Sequence, residues 1–281
     1  MLPSQKKTAA TVLVADFSVV NTSSSLLDTA ARAGTSELLF KAAGSLGLHP
    51  QWIVQDGLFA IIANNTERYV NFARSPLNSG VSTSLVGSKY LTRRILERHG
   101  IANIPYTIAA SLDEARQFLA RHGKIIAKPI YGSGAQDIHI VTSPEALNEL
   151  HIPSYIFEKY IPGREFRYLV LKDEVIAVHE SEYGDSVAAD RPLRRISYPK
   201  DMWNPQLEAL SLRITELFGL GFSAVDYMVD DTGTAHILEI NTMPGLKWFH
   251  APTTGPVVDV ADAFMRAFVE VYEQHPDFVR Q

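Results

Sequence analysis

The chain has 281 residues, with 26 Lys and Arg against 31 Asp and Glu, a formal net charge of −5 and no cysteine. Its 46% apolar and 20% charged residues describe a folding chain with a substantial core, sized for about two domains. The missing cysteine excludes disulfides, thiolate metal sites and cysteine nucleophiles, and the acidic balance argues against nucleic acid as the main partner.

Lys6 and Lys7 followed by Thr8–Ala15 mimic a signal peptide only until Asp16 interrupts the apolar run. No stretch reaches the roughly 18 apolar residues of a membrane helix, so no membrane partner and a cytoplasmic location are expected. Val12–Val14 reads as a first strand and Asn21–Ser25 as a polar link. Thr35 or Ser36 with Glu37 opens a helix that Gly47 stops. Trp52–Val54, Leu58–Ala63 and Tyr69–Phe72 read as strands. Ser88–His99 reads as a helix with Leu91, Ile95 and Leu96 on one face and Gly100 past its end. Tyr106–Ala109 is a strand, and Ser111 with Glu114 forms a capping box for a helix to about Arg121.

Lys124–Lys128 is a strand ending at Pro129, followed by a glycine loop, Tyr131-Gly-Ser-Gly134, and a strand at Asp137–Val141. Ser143 and Pro144 start a short helix to Leu150. Tyr155–Lys159, Phe166–Leu171 and Val175–His179 read as strands, the last two joined by a tight turn at Lys172–Glu174. Residues 181–204 show little periodicity and are expected to be a long loop. Asn204 caps a helix to Phe218, Phe222–Val229 and Ala235–Asn241 form a hairpin, and Val260–Tyr272 is the closing helix. The mixture is an α+β pattern.

The last hairpin carries the strongest chemical signal. A four-residue loop, Asp231–Thr234, places Asp226 opposite Glu239, with Asn241 two residues on and therefore on the same face. Their oxygens suit a hard cation such as Mg²⁺. Glu239 sits in an otherwise apolar strand, where a carboxylate needs a cation or donors. A second signal is Lys128 at the end of a strand before Gly132-Ser133-Gly134, an arrangement that delivers an ammonium and backbone N–H groups to phosphate. A third is Tyr155-Ile-Phe-Glu158-Lys159-Tyr160-Ile161-Pro162-Gly163, an apolar strand running into a hinge whose exposed backbone can read the edge of a base.

These segments, in this order, resemble the ATP-grasp superfamily from Thr35 to Tyr272. Within it the chain resembles the amino-acid ligase branch: the ATP-grasp modules of cyanophycin synthetase and bifunctional glutathione synthetase and, more distantly, D-alanine–D-alanine ligase. Ser84–Ile101 is similar to that branch's linker helix, and Leu238-Glu-Ile-Asn-Thr-Met-Pro-Gly245 to its metal-binding strand. His250-Ala-Pro252 with Gly255 resembles the cyanophycin synthetase continuation.

The resemblance implies an α+β ATP-grasp fold in which the nucleotide lies between two α+β subdomains beside a smaller α/β N-terminal domain. The implied boundaries are 1–88, 89–162 for the lid subdomain, and 163–281 for the subdomain with the metal site. Lys89 and Lys128 are implied to hold the ATP phosphates under a lid of Gly132, Ser133 and Gly134. Glu158 with the backbone of Lys159, Tyr160 and Ile161 is implied to read adenine, and Glu165 to bind the ribose. Asp226, Glu239 and Asn241 are implied to hold two Mg²⁺ ions, with Mn²⁺ as a substitute.

The implied activity is ATP-dependent joining of a small-molecule carboxylate to an amine through an acyl phosphate, releasing ADP and phosphate. The resemblance leaves open whether the acceptor is a free amino acid, a peptide or a carrier protein, and a homodimer is compatible with it. The alternatives are a kinase built on the same site and a nucleotide-binding regulator without chemistry. The expected catalytic set is Lys128, Arg167, Asp226, Glu239 and Asn241.

The chain departs from its relatives in three places. Ala224 stands where D-alanine–D-alanine ligase has the arginine that stabilises its acyl phosphate. Arg164, Arg167, Arg191, Arg194 and Arg195 are candidates for that duty. Arg167 leads because it alternates with Glu165 on one strand face, whereas Arg194 and Arg195 fall in the unpatterned loop. The glycine loop continues as Ala135-Gln136-Asp137 instead of further glycine. Where relatives place substrate-binding arginines, this chain has His179-Glu-Ser-Glu182-Tyr-Gly-Asp185, which suggests an amine or cationic substrate.

Overall fold

Three antiparallel sheets organise the computed structural model, which describes residues 34–132, 137–183 and 192–274. Val12–Val14, Asn21–Ser25, Ser133, Gly134, Asp185 and Arg191 lie outside these residues.

Helix α1 (Thr35–Ser45) packs on a meander of β1 (Gln51–Val54), β2 (Leu58–Ala63) and β3 (Thr66–Asn71). Asn64 and Asn65 both adopt positive φ, 50° and 54°, as a two-residue hairpin turn requires. The meander lends one face to a larger core. Its inner residues Phe59, Ile61 and Val70 share one core with Leu39 and Ala43 of α1, Phe264 and Phe268 of the closing helix, and Leu169, Phe222 and Ala224 of the C-terminal sheet. The described part of the expected N-terminal α/β domain is thus a helix on an antiparallel meander.

Two helices follow. α2 (Gly80–Gly87) was not visible in the sequence pattern, while α3 (Lys89–Arg98) matches the expected linker helix. The Ser79 and Ser88 side chains cap them by accepting from Ser82 N and Leu91 N. The lid sheet has the order β4 (Tyr106–Thr107), β7 (Tyr155–Lys159), β5 (Ile125–Pro129), β6 (His139–Val141). α4 (Leu112–His122) covers it with Ala115, Phe118 and Leu119. The helix expected after Pro144 is a five-residue 3₁₀ segment, Glu145–Glu149.

The C-terminal sheet has the order β10 (Arg194–Tyr198), β9 (Glu174–Glu182), β8 (Arg164–Leu171), β11 (Phe222–Val229), β12 (Ala235–Asn241). β10 corrects the expectation of a continuous loop over 181–204. On one face Tyr168, Val170, Val225 and Tyr227 pack with Leu207, Ile214 and Phe218 of α5 (Pro205–Phe218). Asn204 caps that helix, its Oδ1 accepting from Gln206 N and Leu207 N, and Gly219 ends it at φ 64°. The opposite face is apolar at one end, where Leu169, Ala177 and Ala224 meet α7 (Val260–Gln274), and polar at the other. A short helix, α6 (Lys247–His250), lies between β12 and α7. No helix among the described residues is long and apolar enough to cross a membrane.

Candidate active site

Pairing across the C-terminal sheet aligns Ser197, His179, Arg167, Asp226 and Glu239 side by side on its five strands. The partnership of Asp226 with Glu239 arises differently from the expected four-residue loop. The loop is one residue longer, because Val229 pairs with Ala235, and a bulge at Leu238 restores the register. Nη1 and Nη2 of Arg93 donate to the carbonyls of Ile237 and Leu238 at 2.8 and 2.9 Å, fastening that bulge to α3.

Asp226 is buried and receives both arms of Arg167, Nε and Nη2, at 2.6 Å each. Glu239 has no ion-pair or hydrogen-bond partner among the described residues. Burial, followed by repulsion from Asp226, raises its pKa above the usual carboxylate range. Two oxygen donors facing each other, one of them destabilised as an anion, fit a hard divalent cation. The Arg167 fork takes one lone pair from each Asp226 oxygen and leaves the others for a ligand. Among the described residues no third acidic or imidazole group completes a protein-only cage. Asn241 shares the face, but its Oδ1 accepts from Met243 N at 2.9 Å in the turn that leaves the strand.

Glu158 does not present its carboxylate to a base. It is buried between Arg93, whose Nη2 lies 2.7 Å from Oε1, and Lys128, whose Nζ lies 2.9 Å from Oε2. Burial raises its pKa, but the Arg93 and Lys128 charges outweigh that and hold it at about 2. Lys159 N and Tyr160 N donate to Pro105 O and Lys124 O, at 2.9 and 3.1 Å.

Lys89 begins α3 facing the same space. Its Nζ donates to Gly132 O at 3.0 Å, and its amide donates to Ile130 O at 2.9 Å, tying the start of the glycine loop to the helix. Burial lowers the pKa of Lys89. A cavity of about 40 Å³ lies between Lys89, Arg93, Gly132 and Glu239. A larger groove of about 920 Å³, bordered by Tyr90, Arg94, Tyr106 and Phe118, contains none of the site residues. Glu165 accepts from Ser181 Oγ at 3.0 Å and from Tyr183 OH at 2.8 Å.

Sequence reasoning missed one arginine, Arg93, and misplaced another, Arg195. Arg93 joins α3, β7 and β12, and its signal was its position four residues after Lys89, on the stripe of α3 that Thr92, Arg93 and Leu96 bury. The expected apolar stripe included Leu91, which is exposed. Arg195, a candidate expected in an unpatterned loop, lies instead on β10, which aims it onto the site face, where it contacts Ser181 and His179. Arg167, expected to serve an anionic group, is neutralised by Asp226.

Residues 86–245 match the ATP-grasp domain model. D-alanine–D-alanine ligase of Pseudoalteromonas translucida is 25% identical over 183 residues, 59% of this chain and 60% of that enzyme. The match thus spans less than two thirds of that relative's length. The D-alanine–D-alanine ligase of Nitratidesulfovibrio vulgaris is 25% identical over 245 residues, 73% of this chain and 80% of that enzyme. Among solved structures, the bifunctional glutathione synthetase from Pasteurella multocida superposes with a TM-score of 0.61 at 16% identity, covering 84% of this chain and 44% of that one. The matched domain takes in Lys89, Lys128, the hinge, Asp226 and Glu239 and exceeds half of the 281 residues, so the chain belongs to the ATP-grasp family.

Proposed function

We propose that this protein is an ATP-dependent carboxylate–amine ligase acting on amino-acid or small peptide substrates. The observation that carries the reading is Asp226 beside Glu239 on paired strands, with the Lys89 ammonium across the cavity from Glu239. We divide the chain into an N-terminal segment to residue 88, a lid subdomain 89–162 and a C-terminal subdomain 163–281.

In this reading Lys89 and Lys128 offset phosphate charge, the hinge at Lys159–Ile161 holds the base, and Glu165 holds the ribose. Asp226 and Glu239 would hold two Mg²⁺ ions, or Mn²⁺, which would supply charge neutralisation to the phosphoryl group. A carboxylate oxygen of the acid substrate attacks the γ-phosphorus of ATP, the bond to the ADP oxygen breaks, and an acyl phosphate forms. The amine nitrogen then attacks the acyl carbon, phosphate leaves, and the amine gives up a proton. The acyl phosphate has to be kept from water until the amine arrives. No enzyme nucleophile is needed, consistent with a chain without cysteine. Ala224, in place of the arginine of D-alanine–D-alanine ligase, supports a different acid from D-alanine.

The test offers pairs of small carboxylates and amino acids and follows ADP. The expected result is ADP release that requires both partners, and hydroxamate formation when hydroxylamine replaces the amine. A stable phosphorylated product without hydroxamate marks a kinase instead, and AMP release overturns both readings.

A further inference from the structure

We infer that Arg195 is the core of an anion subsite that holds a second carboxylate of the acid substrate; this rests on the ligase reading above. The acidic character of segment 179–185 pointed the other way, to a cationic substrate. The sheet register reverses that reading for Glu180 and Glu182, whereas Asp185 lies outside the described residues. Glu180 and Glu182 alternate onto the face opposite His179 and Ser181. There Glu180 accepts from Arg164 Nε and Nη2 at 2.6 Å each and from Tyr198 OH at 2.6 Å, and Glu182 lies 3.3 Å from Arg194. Both acids are thus neutralised away from the site.

His179, Ser181 and Arg195 are what this region presents to the face that carries Glu165, Arg167, Asp226 and Glu239. Arg195 differs from the other cations there. Arg167 has Asp226 and Lys128 has Glu158, but among the described residues the nearest carboxylate to Arg195 is Glu165, at 3.9 Å, beyond hydrogen-bond reach. The Glu165 oxygens are already engaged by Ser181 and Tyr183. Nη1 of Arg195 meets Nε2 of His179 at 3.2 Å and the Ser181 hydroxyl. The buried Nε of Arg195, Nδ1 of His179 and Oγ of Ser197 have no partner among the described residues. Burial, then the Arg167 charge, lowers the pKa of Arg195, and an anionic ligand hydrogen-bonded to it favours its charged form.

The frame around Arg195 is rigid. Its amide donates to Thr253 Oγ1 at 3.0 Å, and Ser197 N donates to Thr254 O at 2.9 Å. Gly255, at φ 92°, lies against the Ser197 carbonyl where a Cβ has no room. Three strand spacings of about 4.8 Å separate β10 from β11, and the Arg195 side chain reaches back across β9 towards β8. The remaining span to Asp226, on the order of one or two strand spacings, suits two carboxylates joined by a short chain.

The probes are three dicarboxylates and the monocarboxylates with one carboxylate removed: succinate with propanoate, glutarate with butanoate, adipate with pentanoate. Each is titrated calorimetrically into the whole protein, with and without Mg²⁺ and a non-hydrolysable ATP analogue. At least one dicarboxylate is expected to bind about tenfold tighter than its partner, and Arg195→Met to reduce that preference below about threefold with nucleotide affinity unchanged. Arg195→Gln serves the same purpose if the methionine variant fails to fold. No preference in any pair for the wild type, or the same preference in the variants, overturns the subsite. Weaker nucleotide binding in the variants assigns Arg195 to phosphate and also overturns it. Failure of the nucleotide to bind the wild type, with the dicarboxylate preference retained in its absence, refutes the ligase reading and leaves the subsite standing.

Discussion

Arg167 lays its Nε and Nη2 on the two carboxylate oxygens of Asp226, each at 2.6 Å, so the acid that faces Glu239 is already neutralised without a metal ion. Arg167→Met leaves a buried carboxylate beside Glu239 with no counter-charge. In metal-free buffer this should cost about 3–5 kcal/mol of stability. Mg²⁺ should return part of that loss, because the ion takes over from the guanidinium. Chemical denaturation with and without Mg²⁺ checks this, and a cation-independent deficit sinks the shared-carboxylate reading.

Glu239→Gln tests the same pair from the other side. ATP turnover should fall by about two orders of magnitude or more, roughly 3 kcal/mol of lost stabilisation for phosphoryl transfer. The metal-free variant should melt above the wild type, because it removes repulsion that the Asp226 carboxylate imposes on a buried charge. Steady-state assays and melting curves read the two effects separately.

The pairing of Asp226 with Glu239 was legible in the sequence, but the route to it was not. The loop closes one residue earlier, and a bulge at Leu238 compensates, and neither leaves a mark in apolar alternation. β10 was illegible for a related reason: its inward positions, Arg195 and Ser197, face the polar end of the sheet, so Arg194-Arg-Ile-Ser-Tyr198 lacks the alternation that marks a half-buried strand. α2, Gly80-Val-Ser-Thr-Ser-Leu-Val-Gly87, has weak helix formers and two glycines, and packing against α3 and α5 overrides that preference. Glu158 was visible as a hinge residue, but its partners come from distant segments and no local pattern announces them.

Glu158 links the site to acid stability. Arg93 and Lys128 hold its pKa at about 2, against an ordinary value of 4.5, despite complete burial. A carboxyl with a depressed folded-state pKa stabilises the protein above its unfolded pKa, and the benefit drains away as the pH falls. The loss should run from about pH 4.5 down towards pH 2. Glu158→Gln should be less stable at neutral pH and show a flatter dependence in that window. Parallel curves for variant and wild type contradict the buried triad.

Gly255→Ala should disturb the site from outside it. A methyl group there meets the Ser197 carbonyl, and φ 92° is unfavourable for alanine. Strain of this kind costs about 1–3 kcal/mol. β10 should shift, and with it Arg195, so the dicarboxylate preference should weaken while Mg²⁺-nucleotide affinity holds. Equal weakening of both marks a general loss of structure instead.

Arg93 supports the sharpest separation of charge from geometry. Its guanidinium meets Glu158 and the carbonyls of Ile237 and Leu238 at once, so it neutralises the hinge carboxylate and pins the bulge that presents Glu239. A lysine in its place keeps the charge but lacks the planar fork needed to reach all three. Arg93→Lys should therefore keep Glu158 ionised and the protein folded, while the strand around Leu238 loosens. The Mg²⁺ concentration for half-maximal ATP turnover should rise several-fold, on the order of 1 kcal/mol, and the KM for nucleotide should change less. Arg93→Met removes the charge as well and should destabilise the fold by about 3–5 kcal/mol. Hydrogen exchange of the Leu238 and Glu239 amides provides the structural readout, and Arg93→Lys should accelerate it relative to β8. Unchanged exchange together with an unchanged Mg²⁺ requirement would falsify the role of Arg93 in positioning Glu239.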